Sequence, residues 1–441
     1  MKKYLIFIFI FFSAQTLAQG NFTVVAVGEA ELQKEKIGFI LENNSGLSSS
    51  QRIKLNELVS VLQSDFNFYK HLFEVSTSKT IDLKSKDHHV IVKLEPKISG
   101  GAVELETTVL KLKENKTILE EKFKVNFSNI RSFSHEISDT IYRSLTGKKS
   151  IFKSKIIFTS DRGSKGRNIK KEMYIMDFDG ERKQKLTNFN SLVISPSISQ
   201  SNDKILFSLI ENRKKRRSDG NGFQNVKNIN LHLYDLNTRK NKVISSEPGI
   251  NSGAVFNHSG DSIYLTLTRQ KNADIYKMDL KTGNKSKITK HFAEDVDPHI
   301  NSDESLMTFL SGRAGKAMIY TLDPSGLEKS VKRISYVGRF NAAPRFNPEG
   351  SEIVFSSWVD NRFDIYRINS DGRNLVRLTK NFGSNEEPWY SPDGQFIVFT
   401  SQRVITRKRA VQDVYIMNRD GEVIKRVTQN FGKIYTPRWS N

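Results

Sequence analysis

A mismatch between two counts of one repeated motif constrains this chain more than any other feature. The fullest copy runs Pro388-Trp-Tyr-Ser-Pro-Asp-Gly394, Gln395-Phe-Ile-Val-Phe-Thr-Ser401, Asp413-Val-Tyr-Ile-Met417, Asp420-Gly421 and Arg426-Val-Thr428. Short β-branched and aromatic runs parted by Pro-Asp-Gly and Asp-Gly read as four antiparallel strands, because those turn residues supply the positive φ that tight hairpins need. The first-strand part of the motif begins at Pro196, Ala254, Pro298, Pro344, Pro388 and Pro437, six copies in all. The second-strand part is centred on Phe158, Phe207, Leu265, Phe309, Phe355 and Phe399, also six. Lys155-Ile-Ile-Phe158 thus lacks a first strand before it, and Pro437-Arg-Trp-Ser-Asn441 lacks a second strand after it. A linear array has no use for two such orphans, whereas a ring that pairs them hides both strand edges. Residues 151–441 are therefore expected to form a six-bladed β-propeller closed by the C-terminal strand.

Residues 19–150 lack the repeat and read as a small α/β domain. Phe22–Val27, Lys36–Leu41, His88–Leu94, Val103–Leu112 and Leu119–Phe127 have strand character, the last two joined as a hairpin across Glu114-Asn115-Lys116. Leu55, Leu58, Val59, Leu62 and Phe66 recur at helical spacing behind a cap at Ser49 or Ser50. A second helix starts near Asn129, shows Ile130, Phe133, Ile137, Ile141 and Leu145 on one face, and stops at Gly147. The join around Gly147-Lys-Lys-Ser-Ile-Phe-Lys153 is short, so the two domains are expected to sit against one another.

The first 18 residues carry a charged start, an apolar run from Tyr4 to Phe12 and a Thr16-Leu17-Ala18 cleavage site. They read as a secretory signal rather than a membrane anchor, since a spanning helix needs roughly 20 apolar residues. The mature chain is expected to begin at Gln19, exported and peripheral to membranes rather than spanning one. The sequence has no cysteine, so packing alone must hold it together in an oxidising compartment. Its 69 basic and 48 acidic residues give a charge of +21. That charge suits solubility, or affinity for anionic lipid, envelope polymer or an acidic partner. A nucleic-acid role is set aside, because export removes the chain from nucleic acid.

No catalytic constellation emerges. A propeller peptidase needs a Gly-x-Ser-x-Gly elbow and a hydrolase domain, and both are missing. The eight histidines include His88-His89 in a strand and isolated His232, His258, His291 and His299, without His-x-x-x-His or His-Glu-x-x-His spacing. The expectation is a binding protein with no catalytic residue, metal or cofactor.

The ordered combination is more specific than any single repeat. An export signal, an α/β domain, a helix ending Ile141-Tyr-Arg-Ser-Leu-Thr-Gly147, the strand Lys155-Ile-Ile-Phe-Thr-Ser-Asp-Arg162, Met173-Tyr-Ile-Met-Asp177 with Asp179-Gly180, and repeats ending at Pro437-Arg-Trp-Ser440 together resemble the TolB family of the Tol-Pal envelope system. The resemblance covers essentially the whole mature chain. It implies a non-enzymatic, monomeric periplasmic adaptor that links TolA of the inner membrane to the outer-membrane lipoprotein Pal and supports outer-membrane integrity and constriction at division.

Inner strands line a propeller's channel, so residues just before each first-strand proline gather at one mouth. Here they are Asn251 and Ser252, Asp297, Asn341, Glu386 and Glu387, with Thr436 on the closing blade. A carboxylate-rich mouth of this kind would accept backbone amides or a cation. The resemblance implies that Pal docks there, and Asp297 before Pro298 matches the family's acidic residue. Ala254 in place of a proline and Ile250 in place of a polar residue depart from its pattern.

By the same resemblance, Gln19, Gly20, Asn21, Phe22, Thr23 and Val24 would engage TolA. A strand there that detaches would couple the two partners. Two basic insertions, residues 211–229 with Arg213-Lys-Lys-Arg-Arg217 and residues 403–409, are expected as solvated loops between second and third strands. A different class, a periplasmic propeller binding a glycan or small ligand in its channel, would use Trp389 and Tyr390.

Overall fold

The computed structural model of the protein describes residues 34–76, 88–217, 222–269, 272–406 and 409–440. The export signal, residues 19–24 and the expected strand over residues 22–27 lie outside the described residues.

Six four-stranded antiparallel sheets form the ring. In the second to sixth blades the strands follow chain order from the inside outward, starting at Leu192–Ile198, Asn251–Phe256, Asp295–Ile300, Asn341–Phe346 and Ser384–Tyr390. The first blade borrows its inner strand from the other end of the chain: Ile434–Trp439 pairs antiparallel with Lys155–Ser160, placing Trp439 opposite Ile156. Trp439 is buried, and its indole N–H donates to Ser154 Oγ at 2.7 Å.

Two polar devices explain why the repeat keeps its small polar residues. After each first strand of the second to sixth blades, Ser199, Asn257, Asn301, Asn347 or Ser391 accepts a side-chain hydrogen bond from the backbone N–H five residues on, at 2.9–3.0 Å. This closes the turn into the second strand. After each fourth strand of the first and third to sixth blades, the hydroxyl of Thr187, Thr289, Ser335, Thr379 or Thr428 accepts from a third-strand N–H at 2.8–3.0 Å. Buried third-strand carboxylates finish the arrangement where they occur: Glu172, Asp364 and Asp413 accept from Thr187, Thr379 and Thr428.

The glycine of the Asp-Gly turn has a second reason to be glycine. Gly421 has φ +93°, and a Cβ there would overlap the Leu378 carbonyl of the preceding blade. Gly180 abuts Val427 in the same manner, so this turn sets how closely neighbouring blades approach.

The N-terminal region is a five-stranded mixed sheet under two helices. Its elements are β1 (Glu35–Leu41), α1 (Ser49–Phe68), β2 (Phe73–Val75), β3 (Val90–Ser99), β4 (Ala102–Lys111), β5 (Lys116–Lys124) and α2 (Ile130–Thr146). The sheet order is β2-β1-β3-β4-β5, with β1 parallel to both its neighbours.

Three local features differ from the sequence expectation. The cap of α1 is Ser48, one residue early, because Gln51 completes a reciprocal capping box with it. The last strand ends at Lys124 rather than Phe127, since Asn126 caps a short 3-10 turn over Phe127–Asn129. The strand β2 is additional; with three residues it is too short to show a period.

The two regions share one core. Phe66, Tyr69, Tyr142 and Phe152 pack in the same apolar cluster as Phe158, Phe178, Phe396 and Trp439 of the first and sixth blades. At its edge the Tyr69 hydroxyl donates to Asp393 at 2.7 Å and accepts from the Ile151 N–H at 3.0 Å. Arg131 of α2 pairs with Asp179 of the first blade, and beside it His135 of α2 bonds to Asp65 of α1 at 2.8 Å. The α/β domain therefore sits over the seam where the ring closes.

A candidate binding face at the propeller mouth

The mouth is built by a backbone irregularity repeated in all six blades. Each first strand skips register against its second strand at the same place. The skip falls between Ile194 and Ser197, Ser252 and Val255, Val296 and His299, Ala342 and Arg345, Glu386 and Trp389, and Tyr435 and Arg438. The residue at the bulge is left-handed every time: Ser195, Gly253, Asp297, Ala343, Glu387 and Thr436 have φ between +47° and +60°. A bulge of this kind re-aims a side chain out of the pleat. Here it turns one residue per blade toward the channel, ahead of the proline or Ala254.

Asp297 and Glu387, two of the expected mouth carboxylates, are not free. Asp297 accepts from Arg345 Nη2 at 2.7 Å and Glu387 from Arg438 Nη2 at 2.9 Å, each arginine reaching from the next blade's inner strand. Both guanidiniums are buried and also donate to the carbonyl of the proline before them. They flank the Trp389 ring at 5.4 and 5.0 Å. His299 meets the same ring edge-on at 5.0 Å and accepts from the Phe346 N–H. Burial, reinforced by Arg345 and Arg438, holds His299 well below the ordinary imidazole value, so it stays neutral.

The expectation of a carboxylate-rich mouth is thus corrected to one in which two acids are neutralised by two buried arginines. Sequence reasoning misses these arginines. The signal that could have found them is their identical setting, Pro344-Arg345 and Pro437-Arg438, on inner strands.

Glu386 differs. Among the described residues it has no cationic partner, only a long contact from Ser384 at 3.5 Å. Burial and then the neighbouring Glu387 raise its carboxyl above the usual range. It stands beside Tyr435, whose ring carries Lys171 Nζ at 3.3 Å. Ser252 is half-buried at the mouth and bonded to Ser208.

Asn251 and Asn341 do not face the mouth. Asn251 is fully buried and ties the incoming loop to Ser245, Glu247 and Ile229. Asn341 is equally buried and donates to the Val337 carbonyl. Both serve the path of the chain into the blade.

Ser195, Ser252, Asp297, Arg345, Glu387 and Arg438 line a cavity of about 290 Å³ at this mouth. A second cavity, about 240 Å³, opens at the other end of the channel, where Lys149 of the domain junction joins its wall. The two share no lining residue. Trp389 is half-buried and lines this second cavity, flanked by both guanidiniums and His299, and Tyr390 is buried with its hydroxyl on Glu352. At the domain junction Asp65, His135 and Asp179 gather three ligand-type atoms within 4.8 Å. Arg131 and Ser138 already occupy two of those carboxylates, which makes the cluster an interdomain polar contact.

Taken together these features describe a six-bladed propeller whose inner strands present a concave polar face, backed by an α/β domain at the opposite end. The match to the TolB beta propeller domain family covers residues 142–343 and 329–441. The chain belongs to the TolB propeller family.

Among curated relatives, it is 29% identical over 215 residues to the protein TolB homolog of Chlorobium chlorochromatii, covering 49% of this chain and 44% of that one. It is 29% identical over 176 residues to the Tol-Pal system protein TolB of Wolinella succinogenes, covering 38% and 41%. The matches span less than half the length of these relatives. In structure it resembles TolB from Acinetobacter baumannii, with a TM-score of 0.72, 22% identity, and coverage of 92% of this chain and 97% of that one. Among the described residues no helix is long and apolar enough to cross a membrane.

Proposed function

We propose that the chain is a non-enzymatic periplasmic adaptor of the Tol-Pal system, receiving the lipoprotein Pal at the propeller mouth and engaging TolA through residues 19–24. In this role it supports outer-membrane integrity and constriction during division. Membership of the TolB family and the names borne by its relatives support the system.

The observation that carries the mouth assignment is Glu386, a half-buried carboxylate on a concave face without a cationic partner among the described residues. Such a group is costly alone and is relieved by an incoming ammonium, guanidinium or backbone amide. Asp297 and Glu387 act differently, holding Arg345 and Arg438 in place and so shaping the cavity floor.

Calorimetry with the purified periplasmic domain of Pal from the same organism tests the reading. Glu386→Lys should weaken binding at least about tenfold, the scale of a buried interfacial charge pair, while leaving the melting temperature unchanged. Undiminished affinity would remove the mouth from the Pal interface.

A further inference from the structure

The two basic insertions are not irregular loops. They prolong the second and third strands of their blades into hairpins that stand out beyond the inner strand. In the second blade the pairing continues past Ile210 to Arg216 opposite Phe223. The inner strand's pairing stops at Ile210. In the sixth blade it continues past Gln402 to Thr406. Extra pairs at about 3.4 Å per residue carry Arg216 and Phe223 roughly 20 Å beyond Ile210. Antiparallel order puts every second-to-third connection on the mouth face, since each inner strand starts where its second strand ends.

The first blade, which lies between these two, carries a related connection. Lys165, Arg167 and Lys170 surround Ile169 there, and Ile169 is 59% exposed. On the second blade Arg213, Lys214, Lys215 and Arg216 run beside Phe223, 69% exposed. On the sixth, Arg403 precedes Val404 and Ile405, exposed by 77% and 57%. Three adjacent blades thus repeat one composition at their tips, cations around a bare apolar side chain. Among the described residues of the long hairpin the acid is Glu211 at its base, engaged by Asn230 and His232; Asp219 lies outside the described residues.

We infer that this arc of the mouth face binds an anionic phospholipid surface, the cations meeting headgroup phosphates and Ile169, Phe223, Val404 and Ile405 entering the interface. Clustered lysine and arginine draw a segment to an anionic leaflet, and interspersed apolar residues add burial that salt does not screen. Projecting tips spaced around an arc match a plane; a protein groove would instead call for a continuous apolar patch. The inference is independent of the Pal assignment, because it needs only the purified chain and lipid.

Co-sedimentation with vesicles of phosphatidylcholine, with and without phosphatidylglycerol, is the test, at low salt and at about 0.15 M. The chain should bind only the anionic vesicles. Reversal of the hairpin charges (Arg213→Glu, Lys214→Glu, Lys215→Glu, Arg216→Glu) should cut binding at least about tenfold. The variant Phe223→Ser, Val404→Ser, Ile405→Ser should bind at low salt and lose most binding at about 0.15 M. A control reversing four exposed lysines elsewhere (Lys113→Glu, Lys116→Glu, Lys124→Glu, Lys148→Glu) should bind as the native chain does. Equal loss in the control would reduce the effect to net charge and overturn the inference. So would binding to neither vesicle, or capture of soluble acidic polymer in preference to vesicles.

Discussion

Single residues here are mostly governed by which partner sits beside them in the next blade or loop. Glu247, on the loop into the third blade, is gripped by Arg269 at 2.6 and 2.7 Å and by Lys285 at 2.8 Å. Arg269 first, then Lys285, hold its carboxyl down at about 2. A depressed carboxylate contributes stability that is present above its unfolded value of about 4.3 and is lost as pH falls toward about 2. Glu247→Gln should therefore lower stability at neutral pH and narrow the gap to the native chain across that acid window, as urea unfolding at a series of pH values would show. Parallel loss in both proteins across the window would refute the assignment. The Glu387–Arg438 pair makes a harsher prediction. Glu387→Gln leaves a buried guanidinium without its counter-charge, and the cost should be about 3–5 kcal/mol in chemical denaturation, much more than for exposed Glu120→Gln.

Among the strands and turns, the strand-turn-strand unit is specified locally, but its glycines answer to the neighbouring blade. Gly421→Ala keeps a turn-forming sequence yet forces a left-handed alanine into the Leu378 carbonyl. The expected loss is roughly 2–4 kcal/mol. Gly283→Ala shares a positive φ, +75°, but meets nothing within 4 Å. It should cost only about 1 kcal/mol, so thermal unfolding of the pair separates turn strain from inter-blade contact. Similar values for both would mean that the blades part readily at this point. The long second-blade hairpin is also a matter of elements. Its sequence has the lysine and arginine content of a loop, and only cross-strand pairing over many residues turns it into a strand.

For the whole molecule, the decisive contacts are the seam and the domain that covers it. Trp439 is the largest fully buried side chain, lies within the final six-residue strand, and belongs to the apolar cluster shared with the α/β domain. Trp439→Ala should destabilise the propeller by about 3–5 kcal/mol and loosen the α/β domain in the same step. Coincident transitions by fluorescence and by far-ultraviolet dichroism would check that coupling; separate ones would contradict a shared core. Tyr69→Phe removes the hydroxyl that bridges Asp393 and Ile151, leaves half-buried Asp393 short of a donor, and should cost about 1–3 kcal/mol.

How much of this is legible in the chain follows from where each constraint lives. Six blades and ring closure can be read because the repeat is local and its two orphans are a matter of counting. The helix over Ile130–Thr146 and its Gly147 stop are equally plain. Asp297 and Glu387 can be placed at the mouth in the same way, but their arginine partners lie 48 and 51 residues onward, on adjacent blades. No local pattern links residues so far apart. The expected placing of Asn251 and Asn341 fails for a related reason, since a bulge decides which of two consecutive residues faces the channel, and periodicity does not reveal its position. Amino-acid order was enough to set the number of blades, their order and the way the ring ends, because backbone hydrogen bonding and turn chemistry act over a few residues. Which mouth charges are neutralised, which carboxylate is left at Glu386, and that the basic segments stand out as hairpins were settled by folding in three dimensions, because those outcomes depend on what the curvature of the ring brings next to what.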